Sequence, residues 1–194
     1  MRLYCATTNP GKLREFIDLA GNVELLPNFE DIDAPEEAGS TFEENAAAKA
    51  IYYSAFGDGL LFVDDSGLEV EALGGAPGIY SARYAGPNAT DEANNLLLVQ
   101  NMRGQTNRNA RFVCVVALAL SGKLIQTFRG EVKGELLDEP RGTNGFGYDP
   151  LFFYPPFGAS FGEVDAERKA QVSHRAQALR AMRAYLDEMK LLDP

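Results

Sequence analysis

The chain has 194 residues, with 28 acidic against 18 basic side chains and a formal net charge of −10. Without clustered Lys and Arg it lacks the footprint of a protein that binds long DNA or RNA, because phosphate neutralisation supplies most of that affinity. No stretch approaches the ~20 apolar residues that span a bilayer, and the N-terminus lacks the pattern of a signal peptide. We expect one domain over residues 1–194, with no membrane contact and no nucleic acid polymer as partner.

The first part of the chain alternates short apolar strands with helices. Leu3 to Ala6 is a predicted strand, and Pro10 to Ala20 a helix with proline in its first turn, where the missing N–H costs nothing. Glu24 to Pro27 is a second short strand. Thr41 and Glu44 have the spacing of a capping box and predict the start of an alanine-rich helix.

Two carboxylates then stand side by side in "LLFVDDSGLEV". Leu60 to Val63 predicts a buried strand that ends at Asp64 and Asp65, and Ser66–Gly67 predicts a turn before a short strand from Leu68 to Ala72. Adjacent like charges at a buried strand end repel each other and lose hydration. They therefore need a positive partner, usually a metal ion or a lysine.

The second half predicts one more helix, a hairpin and a terminal helix. The helix begins near Thr90 or Asp91. Phe112 to Leu120 is apolar on both faces, as in a central strand, and Leu124 to Val132 returns beside it. The last helix runs from Ser173 to Lys190 with one apolar face made of Leu179, Met182, Leu186 and Met189. These elements predict an α/β fold with a long twisted mixed β-sheet flanked by helices, forming two lobes with a central cleft.

The two cysteines, Cys5 and Cys114, both lie in apolar strand-like runs. Free cysteine packs as a small hydrophobe, so we expect two buried thiols. Unpaired thiols indicate a reducing, cytoplasmic setting.

The turn "TTNPGK", residues 7–12, leads from the first strand into the first helix. Free N–H groups and the positive dipole end at a helix N-terminus bind phosphate well, and Lys12 adds a full charge. The spacing is not that of a Walker A motif. A plain strand–turn–helix connection with an exposed lysine explains the segment equally well.

An acidic loop precedes the alanine-rich helix and contains Glu36 and Glu37. Together with Asp64 and Asp65 these carboxylates favour hard, oxygen-seeking cations such as Mg²⁺ or Mn²⁺. The alternative is that Glu36 and Glu37 lie on a solvated loop.

Two later segments have residue types suited to a nucleotide. "GTNGFGYDP", residues 142–150, sets Phe146, Tyr148 and Asp149 among glycines, so that an aromatic face can stack on a base and a carboxylate can accept from a ring N–H. "ERKAQVSHRAQAL" places His174 and Arg175 at the start of the last helix, with Lys169 just before it. A turn-rich connector and a solvated basic patch are the respective alternatives.

In combination and order, the motifs "ATTNPGKLREF", "TFEENAAAKA", "DDSGLEVEALGGAPGIYSARYAG", "GFGYDPLFF" and "SHRAQAL" closely resemble the Ham1/inosine triphosphatase family. The resemblance covers essentially the whole chain. It implies a cytoplasmic, Mg²⁺-dependent homodimer that hydrolyses non-canonical purine nucleoside triphosphates (ITP, dITP and XTP) to the monophosphate and pyrophosphate. Such an enzyme removes deaminated purines from the nucleotide pool.

The resemblance also implies roles for single residues. Asp65 would be the general base and a metal ligand, with Glu36 as the second ligand, Glu37 as its alternative, and Mn²⁺ as a substitute metal. Arg175 or a backbone N–H would donate to the 6-oxo group of the base. Thr8 departs from the family pattern, where glycine is expected. The residues implied to hold the nucleotide are Thr7, Thr8, Asn9, Pro10, Gly11, Lys12, Ser66, Phe146, Gly147, Tyr148, Asp149, Lys169, His174 and Arg175.

Three other functions fit part of this pattern. A Maf-like pyrophosphatase would prefer pyrimidine or methylated nucleotides, and a non-catalytic nucleotide sensor would bind without hydrolysis. A dimerisation module would use "GGAPGIYSARYAGPNAT" as its surface and leave the acidic and glycine-rich segments unexplained.

Overall fold

The structure is a computed structural model that describes residues 1–192, and it confirms an α/β fold built on a mixed sheet. The strands are β1 (Leu3–Cys5), β2 (Glu24–Leu25), β3 (Leu60–Val70), β4 (Asn109–Leu120), β5 (Lys123–Leu136), β6 (Phe152–Tyr154) and β7 (Ala159–Ser160). The helices are α1 (Pro10–Ala20), α2 (Phe42–Ser54), α3 (Asp91–Asn101), α4 (Ala166–Val172) and α5 (His174–Glu188).

The seven strands hydrogen-bond in the order β2-β1-β3-β4-β5-β6-β7. β1 is parallel to β2 and to β3, because a helix lies between each pair in sequence. β6 is antiparallel to both β5 and β7. Helical crossovers therefore give the parallel half of the sheet, and direct returns of the chain give the antiparallel half.

The chain forms two compact units, and each has an apolar core of its own. The first unit takes residues 1–65, residues 114–130 and the chain from Arg175 onward. Its core includes Phe16, Phe62, Val116 and Met182. The second unit takes residues 66–113 and 131–174. Its core includes Leu68, Phe112, Phe152 and Phe161.

Side-chain caps fix the starts of the first three helices. The side chains of Asn9, Thr41 and Thr90 accept hydrogen bonds from backbone N–H groups in the first turns of α1, α2 and α3. In the capping box predicted for α2, Thr41 accepts from the Glu44 N–H. The Glu44 carboxylate accepts from the backbone and hydroxyl of Ser40.

The prediction of a turn after the aspartate pair is wrong. β3 runs without interruption through Asp64, Asp65, Ser66 and Gly67. The glycine is explained by packing, since a Cβ there would overlap the carbonyl of Gly78 and the side chain of Ser81. Ser81 closes this contact, because its hydroxyl accepts from the Leu68 N–H and donates to the Gly78 carbonyl.

The predicted hairpin is confirmed as β4 and β5, and both strands are longer than expected. Ser121 and Gly122 connect them with φ angles of 49° and 75°, and positive φ at both central residues is typical of a tight hairpin turn. Residues 112–119 of β4 are all buried, as predicted for a central strand.

The C-terminal region contains more elements than predicted. Lys169 lies inside α4, a helix absent from the sequence prediction, and β6 and β7 were also missed. In α5, Leu179, Met182 and Leu186 are buried as expected, but Met189 lies beyond the helix and is 53% exposed. No helix within residues 1–192 is long and apolar enough to cross a membrane.

Candidate active site

The turn from β1 into α1 is shaped by its own side chains. The Asn9 carboxamide accepts from the Lys12 N–H at 3.0 Å, and the Asn9 N–H donates to the Thr7 hydroxyl at 3.2 Å. Thr8 and Pro10 are exposed, and Gly11 is half-buried. Proline at the first helical position removes one N–H of the first turn, and the Asn9 cap occupies that of Lys12.

Asp64 and Asp65 occupy consecutive positions of one strand, so their side chains point to opposite faces of the sheet. The Asp64 carboxylate is buried, with Lys12 Nζ 2.9 Å from Oδ1 and Arg175 Nη2 3.1 Å from Oδ2. Cys114 Sγ lies 3.7 Å from the same Oδ2. Burial alone would raise the pKa of Asp64, but Lys12 and then Arg175 hold it well below its usual range. Asp64 is therefore ionised near neutral pH and anchors these two cations.

Asp65 has a weaker positive environment. Lys49 Nζ lies 2.8 Å from Asp65 Oδ1 and 2.9 Å from Glu37 Oε1, so one ammonium serves two carboxylates. The Asn45 amide is 3.4 Å from the other Asp65 oxygen. Burial raises the pKa of Asp65, and the attraction of Lys49 offsets this only in part. The pKa of Lys49 is also raised, because its two carboxylate partners outweigh the cost of its burial.

The donor set around Asp65 suits a hard divalent cation. Asp65 and Glu37 each place a carboxylate oxygen within hydrogen-bond distance of Lys49 Nζ. The two oxygens therefore lie close enough together to contact one cation. Glu36, by contrast, is exposed. Within residues 1–192, no group of three or more His, Cys, Asp or Glu side chains forms a ready metal cage. Mg²⁺ commonly uses only one or two carboxylates and completes its shell with water and substrate phosphates, so the residues present fit that ion.

Arg175 is enclosed by carboxylates in the first unit. Its side chain is 2% exposed, with Nη1 2.5 Å from Glu15 Oε2 and both Nε and Nη2 directed to Asp64. These partners raise the pKa of its guanidinium despite the burial. In this geometry Arg175 orients the Asp64 carboxylate. A direct hydrogen bond from Arg175 to a nucleotide base stays a prediction.

In the second unit, Asp149 organises the glycine-rich segment. Its Oδ2 accepts from the Phe146 N–H at 3.0 Å and from Lys169 Nζ at 2.7 Å. A Cβ at Gly145 would overlap this carboxylate, and the φ of Gly145 is +75°. Lys169 Nζ also lies 4.9 Å from the centre of the Phe146 ring. The segment is therefore a loop built on one buried carboxylate.

The other predicted residues of the second unit have defined surroundings as well. Tyr148 is buried and its hydroxyl donates to the Ser81 carbonyl at 2.8 Å. The His174 ring is buried and stacks on Phe112, with ring centres 4.7 Å apart. Ser66 is half-buried in β3. The solvated basic patch considered for this region does not form, because Lys169, His174 and Arg175 are all buried.

The sequence interpretation missed Lys49 and Asn45, the two α2 residues that contact Asp65. They are four residues apart and so share a helix face. Ala46 and Ala50, one position further along, are fully buried. The available signal was an asparagine and a lysine four residues apart in an alanine-rich helix. If the alanine face packs inside, a lysine beside it needs an anionic partner.

The two thiols are free and buried, as predicted. Burial raises the pKa of Cys5 to about 12, so neither acts as a nucleophile near neutral pH without a large change of environment.

The chain is similar to known proteins over nearly its whole length. A profile of the Ham1 family matches residues 3–185. A dITP/XTP pyrophosphatase of Exiguobacterium sp. strain AT1b is 49% identical over 190 residues, covering 96% of this chain and 97% of that protein. A dITP/XTP pyrophosphatase of Acidobacterium capsulatum is 48% identical, covering 96% and 98%. The Staphylococcus aureus Ham1 protein is 40% identical, with a TM-score of 0.87 over 97% of this chain and all of that one.

The mixed α/β sheet thus belongs to a known class of fold. The chain is a member of the Ham1 family.

Proposed function

We propose that this chain hydrolyses the non-canonical purine nucleoside triphosphates ITP, dITP and XTP to the monophosphate and pyrophosphate. The observation that carries the proposal is the contrast at β3, where Asp64 is paired with Lys12 and Arg175 while Asp65 shares Lys49 with Glu37. Relatives that match almost the whole chain are named dITP/XTP pyrophosphatases. A Maf-like enzyme and a non-catalytic sensor are not favoured by these relatives.

In this mechanism Asp65 is the general base. It accepts a proton from the water that attacks the α-phosphorus, and the bond from that phosphorus to the bridging oxygen breaks as pyrophosphate leaves. Lys49 Nζ holds the Asp65 carboxylate at 2.8 Å. Once Asp65 has released the proton to solvent, the Lys49 ammonium again neutralises the carboxylate. We assign the binding of triphosphate oxygens to residues 7–12, where Lys12 supplies the charge.

We further propose Mg²⁺ as the cofactor, with Mn²⁺ as a substitute. Asp65 would hold the ion, together with Glu36 or Glu37. A bound ion would supply positive charge that offsets the charge developing on the leaving group. Because Glu37 already shares Lys49 with Asp65 and Glu36 is exposed, we expect Glu37→Gln to raise the Mg²⁺ concentration needed for half-maximal rate more than Glu36→Gln does.

Base selection is assigned to residues Ser66, Phe146 to Asp149, Lys169, His174 and Arg175. Hypoxanthine and xanthine present a 6-oxo acceptor where adenine presents an amino donor. A protein donor directed at that position is left unpaired when adenine binds, and such a mismatch can reject an analogue by roughly 10⁴–10⁵. Arg175→Ala tests whether its guanidinium is that donor, since an unchanged ITP-to-ATP ratio of kcat/KM would count against it.

We also propose that the protein is a cytoplasmic homodimer. Two free, buried thiols suit a reducing compartment. Tyr80, in the segment predicted as a dimer surface, is 57% exposed. Light scattering coupled to size-exclusion chromatography measures the mass directly, and a monomeric mass at micromolar concentration would contradict the homodimer.

The deciding experiment is product analysis with Mg²⁺ and four substrates, ITP, XTP, GTP and ATP. We expect inosine monophosphate and pyrophosphate from ITP, little turnover of GTP or ATP, and a rate about 10²–10⁴-fold lower for Asp65→Asn. Release of single phosphates, or no turnover of any purine triphosphate, would contradict the proposal.

A further inference from the structure

We infer that Asp91 and Asn95 of α3 are positioning residues that set base discrimination, by holding both polar backbone groups of Gly147. This inference rests on the proposed function. Neither side chain belongs to the predicted site, and both lie with Gly147 in the second unit.

The two side chains hold one residue from the same helix face. Asp91 Oδ2 accepts from the Gly147 N–H at 2.6 Å, and Asn95 Nδ2 donates to the Gly147 carbonyl at 2.9 Å. Residues four apart project from one side of a helix. The same side of α3 therefore offers an acceptor, Asp91, to the Gly147 N–H and a donor, Asn95, to the Gly147 carbonyl. We call this pair of contacts the Gly147 clamp.

The clamp fixes the loop on both sides of Gly147. The N–H of Gly147 shares a rigid peptide plane with the Phe146 carbonyl, and its carbonyl shares the next plane with the Tyr148 N–H. Gly147 itself has φ +61°, a conformation that glycine adopts without steric cost. Together with the Asp149 contact to the Phe146 N–H, side chains hold three backbone polar groups of the two neighbouring residues Phe146 and Gly147.

A second observation separates Asn95 from an ordinary structural amide. Its side chain is only 9% exposed, yet its Oδ1 has no hydrogen-bond partner within residues 1–192. A buried acceptor without a donor costs free energy. The Nδ2 contact to the Gly147 carbonyl fixes which way the amide faces, so Asn95 keeps this contact although its own oxygen is buried without a donor.

The consequence for specificity follows from where the clamp acts. Discrimination between a 6-oxo and a 6-amino purine depends on donors and acceptors placed to a fraction of an ångström. Loss of the clamp leaves the triphosphate-binding turn of the first unit unchanged, while it frees the loop that carries Phe146 and Tyr148. The ITP-to-ATP ratio of kcat/KM should therefore fall more than the rate of pyrophosphate release from a substrate without a base.

The test compares Asp91→Ala and Asn95→Ala with Glu92→Ala. Glu92 is the matched control, because it is exposed and carries the same charge in the same first turn of α3. For each variant, kcat and KM are measured with ITP, ATP and ribose 5′-triphosphate, which has no base, and hydrogen exchange is followed over residues 145–149.

We expect each clamp variant to lower the ITP-to-ATP ratio of kcat/KM about tenfold, the loss typical of one hydrogen bond, mainly through KM for ITP. Turnover of ribose 5′-triphosphate should match that of Glu92→Ala, and exchange over residues 145–149 should be faster. An active wild-type protein whose clamp variants keep the Glu92→Ala ratio would overturn this inference alone. A wild-type protein that releases no pyrophosphate from ITP would overturn the proposed function and the inference with it.

Discussion

The two faces of β3 carry neighbouring aspartates in opposite electrostatic situations. On one face, Asp64 is held by Lys12 and Arg175, and its pKa is lowered. On the other, Asp65 shares Lys49 with Glu37, and its pKa is raised. A carboxylate that contacts two cations is a structural anchor, whereas one that shares its single cation with a second carboxylate keeps the capacity to take up a proton. The two roles belong to consecutive residues of one strand.

Among substitutions that test the difference between the two aspartates, Asp65→Asn should have the largest effect. A positioned general base contributes about 10²–10⁴-fold, so kcat for pyrophosphate release from ITP should fall by that factor. Asp33→Asn, an exposed substitution, is the control. Activity within tenfold of wild type would remove Asp65 from the role of base.

The converse substitution, Asp64→Asn, should act on stability. It leaves Arg175 and Lys12 without their shared carboxylate, and loss of one partner of a buried ion pair costs about 3–5 kcal/mol. Urea denaturation measures this as a loss in the free energy of unfolding. The exposed Asp18→Asn should stay within about 0.5 kcal/mol of wild type. If both variants unfold alike, Asp64 is not an anchor.

Lys49→Gln sharpens the comparison on the Asp65 face. Lys49 lowers the pKa of Asp65 against the effect of burial, so its loss should raise that pKa further. The acid limb of the kcat/KM profile should then move up by about one pH unit or more, as expected for loss of an adjacent opposite charge. The exposed Lys123→Gln should leave the limb in place. An unmoved limb in Lys49→Gln would mean that another group titrates there.

The smallest expected effect is a difference in sign between the two aspartates in the pH dependence of stability. The native pKa of Asp64 lies below its unfolded value of ~3.9, so its contribution is present above that pH and is lost as pH falls. The native pKa of Asp65 lies above its unfolded value, so its contribution is full at low pH and is lost as pH rises through the native pKa. Each pKa unit corresponds to ~1.4 kcal/mol.

Unfolding free energies between pH 3 and pH 7 check both signs. Asp64→Asn should flatten the fall in stability on the acid side of this range. Asp65→Asn should remove the loss that accompanies the rise in pH. Parallel curves for the two variants would contradict the difference between the faces.

Local signals made much of the fold predictable. The helix α1 begins and ends at the predicted residues, and the starts of α2 and α3 follow from capping by Thr41 and Thr90. Apolar residues on both faces identified β4 as central. In each case the residues that determine the element lie within it or next to it.

The errors arose where distant contacts decide the local structure. Gly67 resembles a turn residue in sequence, but its missing side chain makes room for Ser81 and the carbonyl of Gly78. Lys49 resembles a solvated helix residue until Asp65 is placed beside it. The ion pairs of Arg175 with Glu15 and Asp64 were also absent from the sequence interpretation, while its contact with the nucleotide base stays a prediction. The tertiary partners of these residues could not be read from local sequence.

The division of the chain into segments has a consequence for biosynthesis. All residues of the second unit have been translated once His174 is added, whereas the first unit still lacks Leu179, Met182 and Leu186 of its core and the Arg175 that neutralises Asp64. Domains generally fold as units during synthesis, so the unit that starts first on the ribosome is completed last. Until the final helix emerges, Asp64 has Lys12 as its cation but not Arg175, and the nascent first unit keeps apolar strand surface exposed to chaperones and proteases.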